Sequence, residues 1–174
     1  MQTTQPITPR DADPIAQMRH ELEAQLPRYR TVVAGTDGSA TAREAVRHAA
    51  AISRAHGAVL HLVSAGPSKP RGVIEREMAE APEETWHEIG PREDLAAMLD
   101  EIAAEVRALG VKVTCHAEIN TNPAAAILAV AARANADLIV VGNRGMHGIS
   151  RVLGSVPNAV SHSAACSVTI VRTT

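Results

Sequence analysis

Phenylalanine is absent from this 174-residue chain, and Tyr29 and Trp86 are its only other large aromatic side chains. Single-stranded nucleic-acid binders stack bases on aromatic platforms, and no such platform can be built here. Aromatic interface anchors and cation–π cages are excluded on the same ground. An excess of one charge is also missing. The 17 basic and 19 acidic residues leave a net charge of -2, so there is no broad basic field to hold DNA phosphates. No apolar run approaches the ~20 residues that a membrane helix needs. The opening Met1-Gln-Thr-Thr-Gln-Pro6 has neither the basic nor the apolar region of a secretory signal. Neither a nucleic-acid nor a membrane partner is therefore expected. Cysteine is scarce: Cys115 and Cys166 lie far apart and form no CxxC. They read as reduced, buried thiols of a cytoplasmic protein.

What remains is aliphatic. Hydrophobic residues make up 45% of the chain, so the core must be Val, Leu, Ile, Met and Ala. The length argues for one domain with a tail. Residues 1–28 read as that tail. Ile15, Met18, Leu22 and Leu26 are spaced as the apolar stripe of a short helix ended by Pro27. The domain proper, 29–174, opens with the β-branched run Thr31–Gly35, read as a buried strand. Thr41 and Glu44 match a capping box that starts a helix, and Gly57 is placed to end it. A second strand is expected over 58–63.

Residues 66–90 hold several Pro and Gly and many charges, and read as a long connection with a helical piece at 73–80. A helix from Pro91 keeps a 3.6 period through Leu95, Leu99, Ile102 and Val106, and Gly110 ends it. Val111–Ile119 alternates as a strand. Asn122-Pro123 is an N-cap followed by proline at the first helical position. Asp137–Val141 is the most apolar strand and is expected at the sheet centre. A glycine-rich loop, a helix from Ser155 and a last strand at 167–172 complete the order. Strand and helix alternate five times. The pattern predicts an α/β fold, a five-stranded, mainly parallel, doubly wound sheet with helices on both faces. Such sheets bind ligands at the carboxyl ends of strands, at the topological switch point. The loops at 35–39 and 142–155 leave such ends.

The second loop carries chemistry. Gly142, Gly145, Gly148 and Gly154 fall within thirteen residues between a buried strand and a helix. Glycines let backbone amides approach a ligand closely. Ser155 reads as the N-cap, with Pro157 in the first turn, so the Ser155 and Val156 amides point outward as an anion site. Arg144 and Arg151 add positive charge. The loop reads as a polyphosphate cradle, although glycines in a turn can be purely structural. It lacks the Gly-Lys-Ser/Thr of a P-loop. Its glycines follow the fourth strand, whereas a dinucleotide fingerprint follows the first.

Val32-Val-Ala-Gly-Thr-Asp37-Gly-Ser39, the loop Gly142-x2-Gly145-x8-Gly154-Ser155 and the final 154–171 segment together resemble the universal stress protein family, over about 30–174. The loop is similar to the G-x2-G-x9-G-(S/T) signature of its ATP-binding branch. The resemblance implies a Rossmann-like, adenine nucleotide alpha hydrolase-like fold and a homodimeric stress-response protein that binds ATP. It implies that Asp37 contacts the adenosine, flanked by Gly35 and Thr36, and that the backbone of Leu62, at the end of the second strand, reads adenine. Gly142, Asn143, Arg144 and Gly145 would meet ribose and phosphate, and Gly154, Ser155 and Val156 the phosphates. Any Mg2+ would be held by phosphate oxygens. Pairing through 167–172 would make the dimer.

The chain departs from the family in four places. Eight residues, not nine, separate Gly145 from Gly154; Gly35 stands where many members have Pro; Thr121-Asn-Pro123 stands in place of a common Gly-x-Pro; and 1–28 has no counterpart in short members. Without aromatics, adenine is expected between aliphatic side chains near Leu62 and Val33. Three functions are compatible with these residues: an ATP-binding sensor, a cyclic AMP binder or slow ATPase on the same scaffold, and an interaction module that binds no nucleotide. Ser155 and His162 are two helical turns apart, about 10 Å of rise, too far for a nucleophile–base pair. His147 either contacts phosphate or is solvated. His61 and His116 read as packed side chains, Trp86 as a loop residue, and Glu75–Glu88 as a solvated face.

Overall fold

A computed structural model of the chain describes residues 14–66, 76, 79–80, 92–119, 121–143 and 154–173. The β-branched run becomes β1 (Thr31–Gly35), whose three middle residues are buried. It is followed by α2 (Ala40–His56) and β2 (Val59–Gly66), then α3 (Arg92–Ala108) and β3 (Lys112–Ile119). Next come α4 (Pro123–Ala134), β4 (Leu138–Gly142), α5 (Ser155–Ser163) and β5 (Ser167–Val171). A helix α1 (Pro14–Gln25) precedes them all. The strands form one all-parallel sheet in the order β3-β2-β1-β4-β5. The chain winds outward from β1 to β3, then crosses back to β4 and β5. Right-handed crossovers in both directions place α2 and α3 on one face and α4 and α5 on the other. The switch point lies between β1 and β4.

Each face buries one aliphatic cluster. Val32, Ala34, Leu60 and Leu62 meet Ala45 and Ala49 of α2 and Leu99, Ile102 and Val106 of α3. Val33, Val63, Ile139 and Val141 meet Ile127 and Val130 of α4 and Val160 of α5. Small alanines let the helices lie close to the sheet, which is how a core without phenylalanine is filled. Truncating Leu99 or Ile102, both essentially inaccessible, would cost about 2–5 kcal/mol.

Local signals explain most ends. Gly57 and Gly110 take the left-handed conformation, at φ 67° and 82°. The Asn122 side chain accepts from the Ala125 amide at 2.8 Å. Three local expectations are corrected. First, α2 is capped by Ser39, whose Oγ accepts from the Ala42 amide at 3.2 Å, while Glu44 pairs with Arg47 and His48 instead of reaching back. Partners three and four residues ahead, Arg47 foremost, outcompete the cap. Second, β2 continues to Gly66, because β3 pairs with it along its whole length. Third, α5 is capped by Gly154, with no side-chain cap bond, so Ser155 is its first residue.

The tail helix forms as expected, and its Ile15, Met18 and Leu22 are exposed, as is Leu26 just after it. Of the helical piece at 73–80, Arg76, Ala79 and Glu80 are described and helical.

Candidate functional site

The carboxyl ends of β1 and β4 diverge over a cleft of about 140 Å³. Its floor and walls are Gly35, Val63, Ala65, Ile127 and Val141. Thr36, Asp37 and Ala42 stand on one side, and Gly142, Ser155, Val156 and Pro157 on the other. Those described walls enclose less than the ~300 Å³ lower end of ligand pockets, so a nucleotide would fill them and extend through the mouth.

The β1 side is a rigid turn. The Thr36 amide donates to the Val63 carbonyl at 2.9 Å, carrying β1's pairing one residue past the strand. Thr36 Oγ1 then accepts from the Gly38 amide at 3.2 Å, and Asp37 Oδ1 from the Ser39 amide at 3.0 Å. Gly38 sits at φ 80°, and a Cβ there would meet Met98 Sδ at 2.5 Å. This turn holds the Asp37 carboxylate at the cleft edge by one oxygen, and the other has no partner among the described residues.

The β4 side offers backbone donors. Gly154 in an extended conformation starts α5, and its carbonyl accepts from Asn158 at 3.1 Å. The amides of Ser155 and Val156 therefore have no intrahelical acceptor, and Pro157 has none to offer. Both residues line the cleft. A helix start with free amides attracts anions.

Most of the residues singled out in the sequence gather here: Gly35, Thr36, Asp37, Gly142, Ser155 and Val156 line the cleft, and Gly154 caps the helix beside them. Asn143 lies next to them but turns its carboxamide oxygen to Thr173. Arg144, Gly145, His147, Gly148 and Arg151, with the eight-residue spacing, lie outside the described residues, as does Trp86. Leu62 differs from expectation. It lies four residues before the end of β2, and its side chain is buried on the α2/α3 face, opposite Val33. Adenine therefore cannot lie between those two. Alternation along a parallel ladder turns the backbone groups of successive residues to opposite neighbours. Since the Val63 carbonyl bonds to Thr36, Val63 and Ala65 face β1, and Leu62 faces β3. Beyond the end of β1, the Ala65 N–H and C=O point into the cleft without a backbone partner from the β1 side among the described residues. Sequence reasoning missed Ala65 because the expected strand stopped at 63.

Other titratable groups stand apart. His61 Nδ1 and His116 Nε2 are 2.9 Å apart, on β2 and β3. Their ring centroids are 5.2 Å apart, little more than that gap plus one ring radius at each end, and the planes differ by 15°. The rings lie end to end in one N–H···N bond. Burial pushes both imidazoles below the ordinary histidine range; the neighbouring His116 ring adds to this for His61, and Arg133 does so for His116 against Glu118. The cysteines are half-buried rather than buried, and burial raises both thiols. No group of three His, Cys, Asp or Glu among the described residues could hold a metal ion.

Comparison with known proteins places these features. The family model described as the universal stress protein family matches residues 28–172. Universal stress protein Rv1636 of Mycobacterium tuberculosis is 35% identical over 147 residues, spanning 84% of this chain and 98% of its own. A universal stress protein of Thermus aquaticus is 35% identical over 146 residues, spanning 83% of this chain and 99% of its own. The crystal structure of a universal stress protein in complex with cAMP superposes with a TM-score of 0.61 at 31% identity, covering 85% of this chain and all of that one.

Proposed function

The chain belongs to the universal stress protein family, and we propose that it binds an adenine nucleotide, ATP first, in the cleft between β1 and β4. One observation carries the reading: the cleft at the switch point joins a held carboxylate on one side to two helix-start amides without intrahelical acceptors on the other. Adenine would lie flat among Val63, Ala65, Ile127 and Val141, with the Ala65 backbone facing its edge. Asp37, with one oxygen unpaired among the described residues, would accept from ribose hydroxyls, as an acidic residue does in dinucleotide-binding sheets. The phosphates would run to the Ser155 and Val156 amides. Gly142, Arg144, Gly145 and Gly154 keep the ligand-facing roles that the family resemblance implies. Mg2+ fits as a phosphate-held ion, because Asp37 is the only carboxylate among the described lining residues and stands on the ribose side.

The same lining argues for a sensor or regulator in a stress response rather than a turnover enzyme. Asp37 is its one titratable side chain among the described residues, and a residue engaged by ribose is not free to be a general base. Cyclic AMP is the second reading, favoured by the similar protein solved with that ligand. A single phosphate charge would need no more than the two amides. The protein would act as a cytoplasmic homodimer, paired through 167–172. In support, β5 is a sheet edge with its middle residues half-buried, and no described helix is long and apolar enough to cross a membrane.

The test is to denature the purified protein, identify any released nucleotide, and measure competition between ATP and cyclic AMP for the emptied site. Release or binding of an adenine nucleotide supports the reading. An intact fold that takes neither removes it.

A further inference from the structure

Asn143 makes four hydrogen bonds with three different groups of its own. Its amide donates to the Val171 carbonyl at 2.8 Å, and its carbonyl accepts from the Gly154 amide at 3.1 Å. Its side-chain Oδ1 accepts from the Thr173 amide at 3.0 Å and from the Thr173 hydroxyl at 2.9 Å. A backbone amide can only donate, so the carboxamide must present its oxygen to Thr173. The residue is half-buried and directly follows β4, where Gly142 lies opposite Val171 of β5. One residue thus ties together the end of β4, the end of edge strand β5 and the cap of α5.

This arrangement has a specific consequence for the cleft. Gly154 has no side chain to hold itself in place, and α5 has no side-chain cap. The Gly154 amide is held by its bond to the Asn143 carbonyl. Where that carbonyl sits depends on how Asn143 is seated, and its carboxamide is anchored on β5. The β1 side of the cleft, with Thr36, Asp37 and Ala65, is held by separate bonds from β2 and its own turn.

We propose that Asn143, anchored by Thr173, is a positioning residue for the phosphate end of the ligand: it sets the height of the Ser155 and Val156 amides and so selects for phosphate-bearing over phosphate-free adenine compounds. The proposal rests on the nucleotide-binding reading above. Asn143 need not touch the ligand. It acts through Gly154, and its loss affects the polyphosphate end and leaves the adenosine end unmoved.

The experiment measures the affinities of full-length protein for ATP and for adenosine by calorimetry. The proteins are wild type, Asn143→Ala, Thr173→Val and Thr173→Ser, with circular dichroism to confirm the fold. Thr173→Val removes only the hydroxyl bond, at a residue that does not itself line the cleft, and keeps the proposal testable if Asn143→Ala does not fold. Asn143→Ala is expected to weaken ATP by roughly tenfold, the scale of one or two lost hydrogen bonds, and adenosine by less than about twofold. Thr173→Val should show a smaller loss for ATP alone, and Thr173→Ser should restore it. Equal losses for both ligands would make Asn143 a merely structural residue and overturn the proposal. Unchanged ATP affinity in the folded variants would overturn it as well. A wild-type protein that binds neither compound would instead refute the nucleotide reading itself.

Discussion

A single methyl group at Gly35 tests how tightly the cleft floor is built. A Cβ placed there would lie 2.4 Å from Ile127 Cδ1 and 3.1 Å from its Cγ1, with Val141 Cγ1 at an ordinary 4.0 Å. The backbone at Gly35 is not in the left-handed region, so the penalty is steric contact alone. Overpacking of this size costs about 1–3 kcal/mol. The Cδ1 methyl must move, and Ile127 lines the cleft, so adenosine binding should weaken along with stability. Ile127→Val removes the offending methyl and alone costs about 0.5–1.5 kcal/mol. In the double variant the new Cβ takes the vacated space, so the two losses should not add. A coupling energy of about 1 kcal/mol or more in favour of the pair is expected, within the range for contacting residues. Urea unfolding of the four proteins measures it. Strict additivity would refute the argument that Gly35 is required for close approach of α4 to β1.

Three further outcomes follow from the same geometry. Asp37→Ala and Gly154→Val should each abolish nucleotide binding while leaving the fold intact by circular dichroism, and unchanged affinity in both would show that the site lies elsewhere. Burial holds His61 and His116 below their unfolded values, so unfolding takes up protons. Their contribution to stability is therefore whole above about pH 6.5 and is lost as the pH falls below it. His116→Gln should flatten the denaturation midpoint between about pH 7 and 5, and an unchanged slope would refute the role of the pair. Sedimentation at micromolar concentration should show a dimer, and a monomer would count against pairing through β5.

The α/β architecture was legible because its signals are local. Thr31–Gly35, Asp137–Val141 and Ser167–Val171 are β-branched runs, and Gly57, Gly110 and Asn122-Pro123 end or begin helices by backbone chemistry that neighbours cannot override. The Asp37 turn and the start of α5 were legible for the same reason. What the sequence does not show depends on distant partners. The length of β2 was set by β3, and with it the choice between Leu62 and Ala65 for the cleft. Ser39 stands as the cap in place of Thr41, and Glu44 pairs with Arg47 and His48 one turn on. Asp137 looks like the start of an apolar strand, yet its Oδ2 accepts from the Arg30 and Thr31 amides, more than a hundred residues away in sequence, and fastens β1 to β4. Asn143 resembles a loop residue until Thr173 and Gly154 are seen against it. The absence of aromatics agrees with the aliphatic lining of the cleft among the described residues, but did not tell which face of the sheet would supply it.

The central claim is that the cleft between β1 and β4 takes an adenine nucleotide. Calorimetric titration of nucleotide-stripped wild-type protein with ATP tests it most directly. Saturable binding near one nucleotide per chain, lost on adding excess adenosine or cyclic AMP as competitor, is the predicted result. No heat of binding from a protein whose circular dichroism is that of a folded α/β domain would contradict it.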